Sequence, residues 1–205
     1  MAHFAYDFVH CPCSKAFEAD QSMVKRAFEI MHIENPHPTW PGIQIGEPTY
    51  WNVTAWENSA AHKAFTTSAV WPAFWEAIAP VTANPANTGA VFFHGHFPTD
   101  PAPALDAPLT QITQLAPKAG KTRADIEELV VRMLKLMDGD GVDGVRAAFM
   151  GTIEEHPQNV VVLIGWESKE LQEKASGPDG PAGAILKEAS DTAEATSALT
   201  KLTKH

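Results

Sequence analysis

The residues of this 205-residue chain whose types could do chemistry crowd into its first hundred positions. Seven of nine histidines, five of six tryptophans and both tyrosines lie there. The densest stretch is Tyr50 to Trp56, YWNVTAW, which reads as a strand with Tyr50, Asn52, Thr54 and Trp56 on one face. An amide and a hydroxyl set between large rings would cost a few kcal/mol if buried without partners. They are better explained as the wall of a cavity that holds water or a ligand. Six residues after Trp56 stands His62, an imidazole suited to moving protons near neutral pH. A second constellation is Phe93-His94-Gly95-His96-Phe97. Residues two apart on a strand share a face, so His94 and His96 would project side by side with Cα atoms about 7 Å apart. Two imidazoles so placed suit proton transfer or a transition metal, with Tyr6, Asp7 or His10 of the first strand as a third ligand.

These side chains need a scaffold, and the chain spells it twice. Tyr50 to Gln172 contains two versions of one pattern: an apolar run ends in Trp56-Glu57-Asn58 and again in Trp166-Glu167-Ser168, 110 residues later. Asn58 and Ser168 are both suited to capping a following helix. In the first half a strand is expected over His3–His10 and a helix over Lys15–Met31. The proline-rich stretch from Asn35 to Pro41 reads as loop, followed by a short strand Ile43–Ile45 and the strand Tyr50–Trp56. The next helix breaks and restarts near Pro72, with Trp71, Phe74, Trp75 and Ile78 at i, i+3, i+4, i+7. A strand Ala90–Phe97 completes a β-α-β-β-α-β unit.

The order then restarts: a strand Leu109–Leu115, a capping box at Thr122–Asp125, and a helix with Ile126, Leu129, Val130 and Met133 on one face, ended by Gly139–Gly144. Strands Val145–Met150 and Val160–Trp166 follow, then a helix broken at Pro178–Pro181 and a last strand Thr196–Lys204. The domain reading is a ferredoxin-like half over 1–98 with the ligand pocket, a proline-rich linker over 99–108, and a mainly structural half over 109–205.

Composition excludes some partners. The formal charge of −10 is spread over both halves, with 4 basic and 9 acidic side chains in residues 1–100 and 11 and 16 in residues 101–205. No basic stripe can grip phosphates, so no nucleic acid is expected. No apolar run approaches the roughly 20 residues of a membrane span, so no membrane is expected either. The N-terminus does not read as a signal peptide, and two cysteines in Cys11-Pro12-Cys13 make no disulfide framework, which points to the cytoplasm.

Two such units, each with a third strand ending in Trp-Glu-Asn or Trp-Glu-Ser before a helix, resemble the antibiotic-biosynthesis-monooxygenase group of the dimeric α/β-barrel superfamily. The resemblance covers nearly the whole chain, once per half. It implies an α+β fold in which two tandem ferredoxin-like halves pair their antiparallel sheets into an α/β barrel, an intramolecular pseudo-dimer with a further homodimer as an option. The superfamily includes cofactor-independent oxygenases of polyketide phenols, haem-degrading enzymes, cyclases, lyases and stress-responsive proteins. Asn52-Val-Thr-Ala-Trp56 is similar to the Asn-x-x-x-Trp pattern of the cofactor-independent members, where the pair holds oxygen and an anionic substrate. The chain departs from that pattern at His62, where those members carry a tyrosine, and at Glu76, where they carry an arginine. Trp75 stands where haem-degrading members keep an iron-ligating histidine, which disfavours haem.

The resulting expectation is an enzyme acting on a small hydrophobic, aromatic or polyketide-like molecule, with a cofactor-independent oxygenase first. An acid/base cyclase or lyase, or a non-catalytic ligand-binding barrel, is the alternative. Asn52, His62, His94 and His96 are the expected catalytic residues, and Tyr6, Tyr50, Thr54, Trp56, Trp71, Phe74 and Trp75 the expected substrate contacts. No cofactor is expected first and a transition metal on His94 and His96 second. The second half, with Val162, Ile164, Ile185 and Leu186 at equivalent places, should be filled where the first is hollow. Because valine stands at the repeat position, Asn52→Val should cost little stability.

Overall fold

The computed structural model describes residues 4–138 and 141–205. His3 of the expected first strand, and Gly139 and Asp140 at the expected end of the long helix, lie outside the described residues. The chain divides into two compact units, Met1–Gly95 with Lys201–His205, and His96–Thr200.

In the first unit, strand β1 (Ala5–Pro12) leads to Ser14, whose hydroxyl accepts from the Phe17 N–H and caps α1 (Lys15–Ala19). The single helix expected over 15–31 is interrupted. Asp20 captures the Ser22 N–H with its side chain, and the chain tightens into a 3-10 turn, Gln21–Val24, before α2 (Lys25–Met31). Strand β2 spans Thr39–Gln44, so the proline-rich stretch is partly strand rather than all loop. Pro41 fits because this position uses its carbonyl, which accepts from the Thr203 N–H at 2.9 Å. Strand β3 (Thr49–Trp56) lies antiparallel between β1 and β2, with Asp7 opposite Thr54 on one side and Thr39 opposite Thr54 on the other. Asn58 caps α3 (Ser59–Phe65) through the Ala61 N–H. The helix restarts as α4 (Trp71–Ile78) with Pro72 in its first turn, and β4 (Val91–His96) follows.

In the proline-rich connection a short helix, α5 (Ala102–Leu105), buries Ala104 and Leu105, because Pro103 presets its first turn. The second unit continues with β5 (Leu109–Pro117) and α6 (Arg123–Met137). The capping box forms: the Thr122 hydroxyl accepts from the Asp125 N–H while the Asp125 carboxylate accepts from the Thr122 N–H. Strand β6 (Val145–Ile153) precedes β7 (Val160–Trp166), all seven of whose residues are buried. Ser168 caps α7 (Lys169–Ser176), after which come α8 (Gly183–Thr192) and β8 (Ala193–Leu202), which begins three residues earlier than its sequence suggests.

The repeat is real in register as well as in sequence. Ala5 pairs with Trp56 in one unit and Leu109 with Trp166 in the other, so Asp7 corresponds to Gln111 and Asn52 to Val162. The eight strands follow the order β1-β3-β2-β8-β5-β7-β6-β4 in a closed antiparallel barrel. This is the expected α+β architecture of tandem ferredoxin-like halves.

Candidate active site

The site is assembled by three elements of the first unit. Because Asp7 faces Thr54 across the β1–β3 ladder, its carboxylate shares a face with Asn52, Thr54 and Trp56 of β3. The Asn58 cap sets the angle at which α3 leaves β3, and one turn on, the His62 ring stacks on Trp56 with centroids 4.9 Å apart. His94 arrives from the middle of β4. His62 Nδ1 lies 2.9 Å from His94 Nε2, and His62 Nε2 lies 3.6 Å from Asp7 Oδ2. Asp7 and His94 are buried and His62 is half-buried, so the chain Asp7–His62–His94 links β1 to β4 through α3 largely out of water.

Asp7 and His62 lie on the wall of a cavity of about 140 Å³ that Asn52, Thr54, Trp56, Trp71 and Trp75 also line, with His94 behind His62. The aromatic wall is continuous. Trp71 stacks on Phe74 at 5.3 Å and on Trp75 at 6.1 Å, and Phe65 stands edge-on to Trp71 at 5.6 Å. Tyr50 also faces the cavity and packs edge-on to Phe17. Burial, then the charges of Cys11 and Asp7, push its phenol well above the ordinary tyrosine range, so it stays neutral. Burial likewise raises the Cys11 thiol to about 11, with the neighbouring Cys13 adding to the effect.

The polar face of β3 is more self-sufficient than the sequence suggests. Asn52 Oδ1 accepts from Thr39 Oγ1 at 2.9 Å, Asn52 Nδ2 donates to Thr54 Oγ1 at 2.8 Å, and the two hydroxyls lie 2.8 Å apart. One proton assignment satisfies all three: Asn52 to Thr54, Thr54 to Thr39, Thr39 back to Asn52. Asn52 is thus both hydrogen-bonded within the protein and a wall of the cavity.

Trp56 differs. Its indole Nε1 is buried and has no hydrogen-bond partner among the described residues. The repeat shows what a satisfied version looks like: Trp166 Nε1 donates to Gln111 Oε1 at 3.1 Å. Asp7 occupies the place of Gln111 and is directed to His62 instead, so the first unit keeps a buried donor in its cavity.

Two of the expected site residues stand apart. Tyr6 is buried on the opposite face of β1, tilted against Trp40 at 6.3 Å. His96 ends β4 and pairs with Glu154 at 2.9 Å in solvent, so His94 and His96 do not converge on one site. Phe65 was not among the site residues read from the sequence, and Asp7 entered only as one of three candidates, with Tyr6 and His10, for a third metal ligand on the first strand. The expectation of a filled second unit is corrected as well. It holds a cavity of about 190 Å³ lined by Val162, Ile164 and Leu186 among others. Ala182, Ala189 and Ser190 there are too small to fill the space that Trp71 and Phe74 occupy in the first unit. No His, Cys, Asp, Glu, Lys or Arg lines this second cavity among the described residues.

Fold and site together define a class of protein: a tandem α/β barrel with a titratable, aromatic-walled cavity in its first unit. No protein-family model matches the chain, and no curated protein matches it by sequence. Solved structures do match its fold. A protein of Fusobacterium nucleatum provisionally named a monooxygenase superposes with a TM-score of 0.67 at 11% identity, over 98% of this chain and 93% of its own. An anthrone oxidase-like protein matches with a TM-score of 0.61 at 12% identity, over 100% and 93%. A protein provisionally named a chlorite dismutase matches with a TM-score of 0.56 at 13% identity, over 98% and 95%. The chain therefore has the dimeric α/β-barrel fold, carried as two halves of one polypeptide. Among the described residues, no helix is long and apolar enough to cross a membrane.

Proposed function

We propose that this protein is an enzyme that takes a proton from a small aromatic or polyketide-like substrate in the first-unit cavity and delivers the resulting anion to dioxygen without a cofactor. The observation that carries this reading is the unpartnered Trp56 indole N–H beside His62, on the wall of a cavity sized for one ring. His62 accepts the proton, with Asp7 and His94 holding its ring and sharing the charge. The Trp56 N–H, and the amide N–H of Asn52 not spent on Thr54, donate to the oxyanion. For a methylene carbon the balance is CH2 plus O2 giving C=O plus H2O: the substrate carbon is oxidised, and dioxygen supplies the carbonyl oxygen and the water. A porphyrin macrocycle is too large for this cavity, which agrees with a site for a single ring.

The neighbour described as anthrone oxidase-like suggests the first substrates to try, namely hydroxyanthrones, with hydroquinones and acidic phenols beside them. In such a molecule one outer ring enters the cavity, the reacting carbon of the central ring lies at its mouth, and the remainder lies toward Trp75, which is 39% exposed. The second unit has the structural part, since the cavity at the place equivalent to the site, lined by Val162, Ile164 and Trp166, carries no proton-transfer group among the described residues. The test is oxygen uptake by the protein with these compounds, and by His62→Gln. Uptake of one O2 per product, lost in His62→Gln, supports oxygenation. Turnover that proceeds equally without oxygen assigns the same Asp7–His62–His94 chain to a cyclase or lyase reaction. Saturable binding with no turnover of any substrate makes the protein a binding module.

A further inference from the structure

The Asp7–His62–His94 group has a second capacity that does not depend on which reaction the cavity hosts. We propose that it is a binding site for a divalent first-row transition-metal ion, with Zn2+ and Co2+ the ions to examine. The donor set is two imidazoles and one carboxylate, from β1, α3 and β4. Metals of this class accept such sets readily, and hard ions such as Mg2+ and Ca2+ do not. Ligand atoms bound at about 2.1 Å to one ion sit about 3.0–3.4 Å from each other. The three donors already lie within 4.8 Å of one another, and the two imidazole nitrogens are 2.9 Å apart. His94 faces His62 Nδ1 and Asp7 faces His62 Nε2, so enclosing one ion requires the Asp7 or His62 side chain to rotate until all three donors point at it.

Three further features favour a built site over a chance cluster. Asp7 and His94 sit on strands, at 4% and 8% exposure, so backbone pairing fixes two of the three ligands. The third, His62, is held by its stack on Trp56 and by the Asn58 cap of α3. The single carboxylate offsets half the ion's charge in a poorly hydrated place. Asp7 and His62 also line the cavity, so the fourth position faces the space where a water or a substrate oxygen sits. Three protein ligands and an open position form a reactive geometry rather than a sealed structural one. The ion takes the place of the proton between His62 and His94, so a bound metal and the proton relay exclude each other.

The test uses untagged full-length protein stripped with chelator and then titrated with Co2+ and Zn2+. One ion per chain is expected, and Co2+ should give visible absorption bands of nitrogen–oxygen coordination. His62→Gln and His94→Gln should each weaken binding by roughly 100-fold or more, whereas His96→Gln should leave it unchanged. Circular dichroism checks that the variants are folded. In the wild type alone, Co2+ should displace the NMR signals of two imidazoles, a readout that needs no variant. Failure to bind at one ion per chain, equal affinity in His62→Gln, or loss in His96→Gln overturns the proposal. None of these readouts is turnover, so a failure of the metal site is distinguishable from a failure of the proposed reaction.

Discussion

Trp56 and Trp166 are the same residue in the two copies of one unit, and only one has its N–H satisfied. The difference predicts opposite responses to the same substitution. Trp166→Phe breaks a part-buried hydrogen bond to Gln111 and should cost about 1–3 kcal/mol beyond the packing loss. Trp56→Phe breaks no bond, so its cost in thermal or urea unfolding should be the packing loss alone, while affinity for an anionic ligand drops by about 1–3 kcal/mol. Asn52→Val is now expected to be destabilising by about 1 kcal/mol, against the sequence reading, because it removes the amide that accepts from Thr39 and donates to Thr54 and leaves those hydroxyls only each other and the Val53 carbonyl. The second unit tolerates valine there because its whole constellation is apolar, with Ala148, Val162 and Ile164 at the corresponding register positions. Carrying all three across, as Thr39→Ala, Asn52→Val and Thr54→Ile together, should restore most of the stability lost in the single variant. The Cys11 thiol offers a pH check. Its folded pKa, about 11, lies above its unfolded value, so its contribution to stability is complete below the unfolded pKa of about 9 and is lost as pH rises toward 11. Alkylation of the native thiol should be negligible at pH 8 and rise with a midpoint near that of the thiol.

At the scale of elements, the positions that matter are those where backbones touch. Gly42 of β2 lies so close to Lys201 that a Cβ there would collide with the Lys201 carbonyl oxygen. Gly42→Ala should therefore unfold at markedly lower denaturant, by about 1–3 kcal/mol or more, because backbone cannot yield as a flexible side chain would. Much of the element pattern was legible in the sequence. The Thr122–Asp125 capping box, the restart at Pro72 and the paired Trp-Glu strand ends all act within a few residues, where local chemistry decides. Asp20 was misread because a side-chain hydrogen bond to Ser22 outcompeted helix continuation. Thr39–Pro41 was misread because the prolines there signal a loop, and the partners on one side of the strand, Thr203 and His205, lie far away in the chain. The same limit applied at the site. The cavity face of β3 could be read from alternation, but Asp7, His62 and His94 meet only through strand pairing and the exit angle of α3. His96 looked equivalent to His94 until Glu154 supplied it with a partner in solvent.

At the scale of the molecule, two copies of one unit have diverged in opposite directions. Each keeps a cavity beneath its helices, about 140 Å³ in the first and about 190 Å³ in the second. Titratable groups and the free indole donor are in the first, and a self-satisfied Gln111–Trp166 pair is in the second. A phenolate ligand should accordingly bind with a stoichiometry of one per chain, measured by equilibrium titration, whereas a neutral hydrocarbon has an apolar space in either unit.

The most direct test of the account is the indole region of the proton–nitrogen NMR spectrum, where six tryptophans give separate side-chain signals. A single-ring nitrophenolate should be titrated in, with the Trp56 signal assigned by its absence in Trp56→Phe. This N–H is expected to move strongly downfield on saturation as it gains an acceptor, while the Trp166 signal stays where it was. An unmoved Trp56 signal at saturation, or equal movement of both, would contradict the assignment of the first-unit cavity as the place where a substrate anion is held.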